Sequence, residues 1–409
     1  MANLAQIEHN PPLYTGGMGL YLHIPFCGTK CTYCDFNTYA GIDDQVPDYV
    51  GALKKELRGW SNLLLRPPVR TIFLGGGTPS YLPTDDIEGI LTEVRRAYVV
   101  DETAEVTMEC NPGDVTPERA SVWLGAGVNR VSMGAQCFDD GLLALLGRRH
   151  TAFEARQAFQ TLRESGFSNL SLDLIYGLPY QSLEQWTDTL DVALSLAPDH
   201  FSLYSLQVET GTPLAVDVAT GRYPVPDDDL AADMYEEAQR RLVARGFAQY
   251  EISNWSKPGL ESQHNLIYWR NEPYLGVGAG AHSWVAGQRF ANLASPRRYV
   301  TVVGDTYSPL GPDPVATMRV PAGPVEQVDV TTPATDVAET MMMGMRLNEG
   351  VSASRFFDRF GTTLGVVFQD EIDRLLSLGL VETTGRAIRL SERGRLLGNE
   401  VFAEFIGGE

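Results

Sequence analysis

Over its first 245 residues the chain alternates between short β-branched, aromatic and leucine-rich runs and longer stretches whose apolar positions recur every three or four residues. Six runs read as strands: 19–24 (GLYLHI), 70–75 (RTIFLG), 105–110 (EVTMEC), 130–135 (RVSMGA), 169–176 (NLSLDLIY) and 200–206 (HFSLYSL). Between them PDYVGALKKELRGWSNLL, DDIEGILTEVRRAY, TPERASVWLGAG, TAFEARQAFQTLRESG and SLEQWTDTLDVALSLA read as helices, with Asp, Thr or Ser near their starts and Gly near several ends. Right-handed crossovers make the strands of such repeated βα units parallel. Six units are too few for a closed eight-stranded barrel, so the pattern predicts an α/β fold, either a partial (βα)6 TIM-like barrel or an open doubly wound sheet. In both, chemistry belongs at the carboxyl ends of the strands.

Near residue 300 the rhythm stops. Residues 303–327, rich in Pro and Gly, read as a connecting segment. DVAETMMMGMRLNEG, ASRFFDRFG and FQDEIDRLLSLGLVE beyond it are helix-like, and ETTGRAIRLSERG reads as a hairpin. The expected organisation is a core domain over 11–245, a connecting region over 246–330 and a C-terminal helical, winged-helix-like domain over 331–409.

Composition changes the picture in two places. Winged helices commonly bind DNA, but residues 331–409 hold eight Arg and no Lys against 12 acidic residues, and the whole chain carries a net charge of -20. That field repels phosphate backbones and excludes nucleic acid as the expected partner. The chain starts without a cationic, then apolar, leader and holds no apolar run long enough to span a bilayer, so a cytoplasmic protein is expected. Five cysteines, an odd number with three crowded together, fit a reduced compartment and metal or redox chemistry better than a disulfide framework.

Features on five successive strand ends share one predicted rim: Cys27, Cys31 and Cys34 after the first strand, GGGTP (75–79) after the second, Glu109 at the third, Gln136 after the fourth and Asp173 on the fifth. Structural zinc sites close with four protein ligands, and three thiols would need His23 or a distant residue to complete one. A 4Fe-4S cluster takes one thiolate per iron, and three thiolates leave one iron open to another ligand, which is the favoured reading. Cys110 and Cys137 read as small buried hydrophobes without a role.

The Cys-x3-Cys-x2-Cys pattern of CGTKCTYC resembles the radical S-adenosylmethionine superfamily. YLHIPFC, CDFNTY, LGGGTPSYL, GAQCF, LGRRH and DLIYGLP are similar to the branch that holds oxygen-independent coproporphyrinogen III oxidase and the heme chaperone HemW. The resemblance implies a radical SAM-type partial barrel whose cluster chelates S-adenosylmethionine and reductively cleaves it. It places S-adenosylmethionine against Tyr21, Tyr33, Gly76, Gly77, Thr78, Glu109, Gln136, Arg148 and Asp173. It further implies a place in porphyrin metabolism, heme as a bound partner, heme-accepting proteins such as membrane-associated respiratory enzymes, and a possible homodimer. Two features favour the chaperone over the oxidase. The oxidase carries another cysteine two positions after its third cluster thiol and a longer amino-terminal segment, whereas this chain has Phe36 there and 20 residues before Tyr21. HNLIYW (264–269) resembles the chaperone's His-Asn-x-x-Tyr-Trp motif, which makes His264 the expected axial heme ligand and His282 the second candidate.

Overall fold

The computed structural model describes residues 16–304 and 323–406. The six expected strands form as β1 (Met18–Ile24), β2 (Pro68–Gly76), β3 (Val99–Cys110), β4 (Arg130–Gln136), β5 (Leu170–Tyr176) and β6 (His200–Ser205), each pairing in parallel with the next. Helices cover one face of this sheet, and their starts follow local chemistry. Thr151 and Glu154, then Ser182 and Gln185, make reciprocal capping boxes at helices Ala152–Glu164 and Leu183–Ser195. Leu20, Leu22, Ile72, Leu74, Val131, Met133, Leu172 and Leu174 pack with Trp60, Trp123, Phe159 and Trp186 in one buried core.

Residues 246–330, expected as a heme-motif and connecting region, contribute to the sheet on both edges, and most of the expected Pro- and Gly-rich connecting segment, residues 305–322, lies outside the described residues. The described residues of this region supply β7 (Ala248–Glu251) and β8 (Asn254–Ser256), β8 pairing antiparallel with β6 and β7 antiparallel with β8, and β9 (Tyr274–Val277), β10 (His282–Val285), β11 (Gln288–Asn292) and β12 (Val325–Val330) on the opposite edge. The order is β12-β11-β10-β9-β1-β2-β3-β4-β5-β6-β8-β7, with β9 parallel to β1. Strands of three to six residues carry too few positions for a period to show in sequence, and the pairings that join them to β1 and β6 are remote in the chain.

Alternation along the strands sends a second set of side chains to the other face, and this set is polar: Thr71, Thr107, Arg130, Ser132, Ser171, Asp173 and His200. The helix Gln263–Trp269 packs against β1 and β2 on this face. Glu105 on β3 accepts from the amides of Gln263 (3.0 Å) and His264 (3.1 Å), placing a carboxylate at the positive end of that helix. Gly19 is needed beneath it, because a Cβ there would lie 3.0 Å from Ile267 and 3.2 Å from the His264 ring.

Residues 333–406 hold a separate hydrophobic core of Met341, Met345, Phe356, Phe360, Phe368, Ile372 and Phe402 among others, beside a small sheet of β13 (Val351–Ser352), β14 (Val381–Thr383) and β15 (Ala387–Leu390). The unit docks on the barrel by charge. Arg359 and the fully buried Asp336, paired within the unit, both bond Asn271 of the barrel, Arg359 donating to its carbonyl (2.8 Å) and Asp336 accepting from its Nδ2 (3.0 Å); Arg289 pairs with Glu339, and Arg346 lies 4.5 Å over the Trp269 ring.

Across β1 and β9 a single carboxylate joins four elements. Glu56, fully buried on the helix Val46–Leu63, accepts from the Tyr299 hydroxyl, Asn292 Nδ2 (2.7 Å), Gly278 N (2.9 Å) and Trp60 Nε1 (3.2 Å). Burial pushes its carboxyl up to about 7, with the four donors pulling against that rise. Glu56→Gln keeps the shape but turns an amide group toward donors, so we expect a loss of about 1–3 kcal/mol, read by thermal or urea unfolding. Unchanged stability would remove Glu56 as the joining group.

Candidate functional site

The loop after β1 carries the three crowded cysteines and is fastened at several points. Thr32 N donates to Leu146 O (3.1 Å) and Thr32 Oγ1 to Leu145 O (3.1 Å), while Asn37 Nδ2 donates to Ala279 O (3.0 Å) and Ala294 O (2.9 Å). Cys27 Sγ lies 3.2 Å from Thr78 Oγ1, and Cys31 Sγ accepts from the Arg148 guanidinium at 3.4 Å. Burial pushes the Cys27 and Cys34 thiols up; a bound cation reverses that preference, since a coordinating thiol is deprotonated.

Gly75, Gly76 and Gly77 end β2 against this loop. Gly76 has φ +109°, and a Cβ on it would fall 2.4 Å from the His23 ring, so only glycine fits. Gly76 N donates to Glu109 (3.0 Å), Gly77 N to Ile24 O (2.8 Å) and Thr78 N to Phe26 O (2.8 Å). With these amides engaged, Gly76, Gly77 and Thr78 have no backbone N–H left for a carboxylate.

One cavity of about 490 Å³ opens above the strand ends, within the range of small-molecule sites. Its lining brings together Cys27, Cys31, Cys34, Tyr33, Gly76, Gly77 and Thr78 with Glu109, Gln136, Arg148 and Asp173. Asp173 sits mid-strand rather than at a strand end, held by Ser132 Oγ at 2.9 Å. Gln136 ends β4 with φ +67°, a left-handed backbone that a non-glycine residue adopts at a cost of about 1–3 kcal/mol. Burial, then the charge of Asp173, pushes the Glu109 carboxyl up to about 7. Ser132, Asn111, Tyr204 and Glu209 also line the cavity and were missed. For Ser132 the inward alternation of β4 was an available signal; the others sit where only the fold places them.

Two expected residues do not reach the cavity lining. Tyr21 points its hydroxyl at His23 Nδ1 (3.0 Å), lower on the sheet. His264, the expected heme ligand, lies elsewhere. It is fully buried under the sheet, with Nδ1 2.8 Å from Thr71 Oγ1, Nε2 2.8 Å from the Tyr268 hydroxyl, and Phe73 stacked on its ring at 5.2 Å. Burial, then the charges of Arg130 and Arg70, push its imidazole down to about 3, so it is neutral, with a hydroxyl beside each ring nitrogen. His282, at the start of β10, is the exposed histidine among the described residues.

The donor set fits an iron-sulfur cluster. Three thiols on one loop face a cavity, yet among the described residues no group of three His, Cys, Asp or Glu side chains converges as a single-ion site. A cubane spreads its thiolates over separate irons, whereas zinc would draw them to one point.

A partial barrel of parallel strands with a three-cysteine loop at its carboxyl rim defines a radical SAM protein. Residues 21–193 match the Radical SAM superfamily, and residues 331–397 match the HemN C-terminal domain. The chain is 37% identical over 388 residues to the heme chaperone HemW of Bacillus subtilis, covering 95% of this chain and 98% of that one. It is 35% identical over 407 residues to that of Haemophilus influenzae, covering 98% and 99%. It belongs to the HemW family. The solved coproporphyrinogen III oxidase (HemN) of Escherichia coli shares the fold, with a TM-score of 0.80 at 22% identity over 95% of this chain and 90% of that one.

Glu109 yields a pH prediction. With its folded carboxyl raised to about 7, the folded state holds a proton that the unfolded chain releases at ordinary carboxyl values near 4.5. Its contribution to stability is therefore present below that ordinary value and lost as pH rises through about 7. Glu109→Gln, neutral throughout, should gain on the wild type between pH 5 and pH 8, by less than about 1.4 kcal/mol per unit because the carboxyl faces the cavity. Parallel stability profiles for the two proteins would contradict the raised carboxyl.

Proposed function

We propose that this protein binds a 4Fe-4S cluster through Cys27, Cys31 and Cys34, takes S-adenosylmethionine in the adjoining cavity, and carries heme to acceptor proteins. The observation that carries the cofactor reading is the single cavity shared by the three thiols, the glycine turn and Glu109, Gln136, Arg148 and Asp173. When bound, the cluster would supply one electron and an open iron for the methionyl group. The chain's own part is to hold and orient: carboxylates for hydroxyls or the ammonium, and Arg148 for an anion.

Heme carriage rests on the family, whose curated members are named heme chaperones. Among the described residues no helix is long and apolar enough to cross a membrane; the acceptors in this reading include membrane-associated respiratory enzymes. Acceptor identity, a cytoplasmic site of action and homodimerisation belong to this proposal as well. For the heme iron we favour His282 over His264, since a ligand must be reached, and the cluster loop's neighbouring Phe36, 64% exposed, offers a porphyrin an apolar face.

Two outcomes test this. Cys27→Ala, Cys31→Ala or Cys34→Ala should abolish 4Fe-4S assembly under anaerobic reconstitution while Cys110→Ala leaves it intact; a stable zinc complex without iron absorption would overturn the cluster. In heme titrations the wild type should bind stoichiometrically, pass heme to an apo-hemoprotein, and show no decarboxylation of coproporphyrinogen III. His282→Ala should shift the Soret band, whereas His264→Ala should lower thermal stability and leave the band in place. Robust turnover to protoporphyrinogen would favour the oxidase reading instead.

A further inference from the structure

Arg148 reaches two groups that no local sequence pattern joins. One terminal nitrogen donates to the Gly134 carbonyl at the end of β4 (2.7 Å), and the other lies 3.4 Å from Cys31 Sγ, within hydrogen-bond range of a thiolate. Its Nε is buried without a partner among the described residues, and the Tyr33 side chain is a third hydrogen-bonding neighbour of the guanidinium. The cluster loop has anchors besides Arg148: the Leu146 carbonyl accepts from Thr32 N, the Leu145 carbonyl from the Thr32 hydroxyl, and Thr32 O in turn accepts from Leu214 N (2.9 Å). Anchoring and thiolate contact are thus made by different atoms.

We propose that Arg148 sets the reduction potential of the cluster by donating a charge-assisted N–H bond to the Cys31 thiolate. This goes beyond the anion-pairing role above and rests on the cluster reading. Reduction adds one electron, from a low-potential external donor, to a cluster already carrying three thiolates, and breaks no bond. A donor on one sulfur and a fixed positive charge beside it stabilise the reduced, more negative state. Gly134 O holds the guanidinium in register, so the bond does not depend on solvent.

The test is a redox titration of the reconstituted protein followed by electron paramagnetic resonance, without S-adenosylmethionine, so that loss of a substrate contact cannot enter. Arg148→Met should keep full iron content and favour the oxidised cluster tenfold or more, a fall of about 59 mV for a one-electron couple. It should also lose a hyperfine coupling to an exchangeable proton that the wild-type reduced cluster shows. Arg148→Lys, which keeps the charge without the planar fork, should fall between the two. An unchanged midpoint in Arg148→Met with cluster intact would overturn the proposal. So would failure of Arg148→Met to assemble a cluster, because that would assign Arg148 to holding the loop. Failure of the wild type to bind a 4Fe-4S cluster would instead sink the cofactor reading.

Discussion

Everything in this molecule depends on the polar inner face of an incomplete barrel. Parallel strands with alternating side chains send Leu, Ile, Val and Met to the helices, which leaves Thr71, Arg130, Ser132, Asp173 and His200 facing inward. Such groups must be hydrogen-bonded or wetted, because a buried polar atom without a partner costs roughly 1–3 kcal/mol. The rim solves this with an open cavity for a polar ligand. Below it the solution is the helix Gln263–Trp269, capped by Glu105 and tied in through the pair His264–Thr71 and the pair His264–Tyr268.

That helix also explains why the second domain sits where it does. Its first turn lies against the barrel, and its last residues face the unit formed by 333–406. Trp269 lies under Arg346, and the residues following the helix take part in ion pairs and hydrogen bonds with Asp336, Thr340, Glu349 and Arg359. A winged-helix-like shape with an acidic composition is therefore used here as a packing block. The run Met341–Met343 follows the same logic, with Met341 fully buried in that unit's core.

At the rim, chemistry and stability pull in different directions. Gln136 holds a left-handed backbone, and Glu109 is kept near neutrality by burial beside Asp173. Such features persist where surrounding packing over-determines them. Glu56 supplies part of that packing, since the segment it fixes through Gly278 is the one whose Ala279 carbonyl receives Asn37 from the cluster loop. A carboxylate in the core is in this way connected to the placement of three thiols at the cavity.

The sequence by itself determined the six βα units, the hairpin of the C-terminal unit, the three-thiol loop and the family, because each is written in neighbouring residues: a period of two or 3.6, a capping pair, a fixed cysteine spacing. Most of the cavity lining followed, since strand ends in a parallel barrel share a rim. The tertiary structure alone decided the edge strands between 248 and 330 and the placement of His264 and Tyr21. His264 reads as a ligand when its neighbours are Asn265 and Tyr268; it becomes a barrel plug only when Thr71 and Phe73, nearly two hundred residues away in the chain, close on its ring. Whether an imidazole nitrogen is free depends on partners brought by folding, and no local pattern encodes contacts of that range.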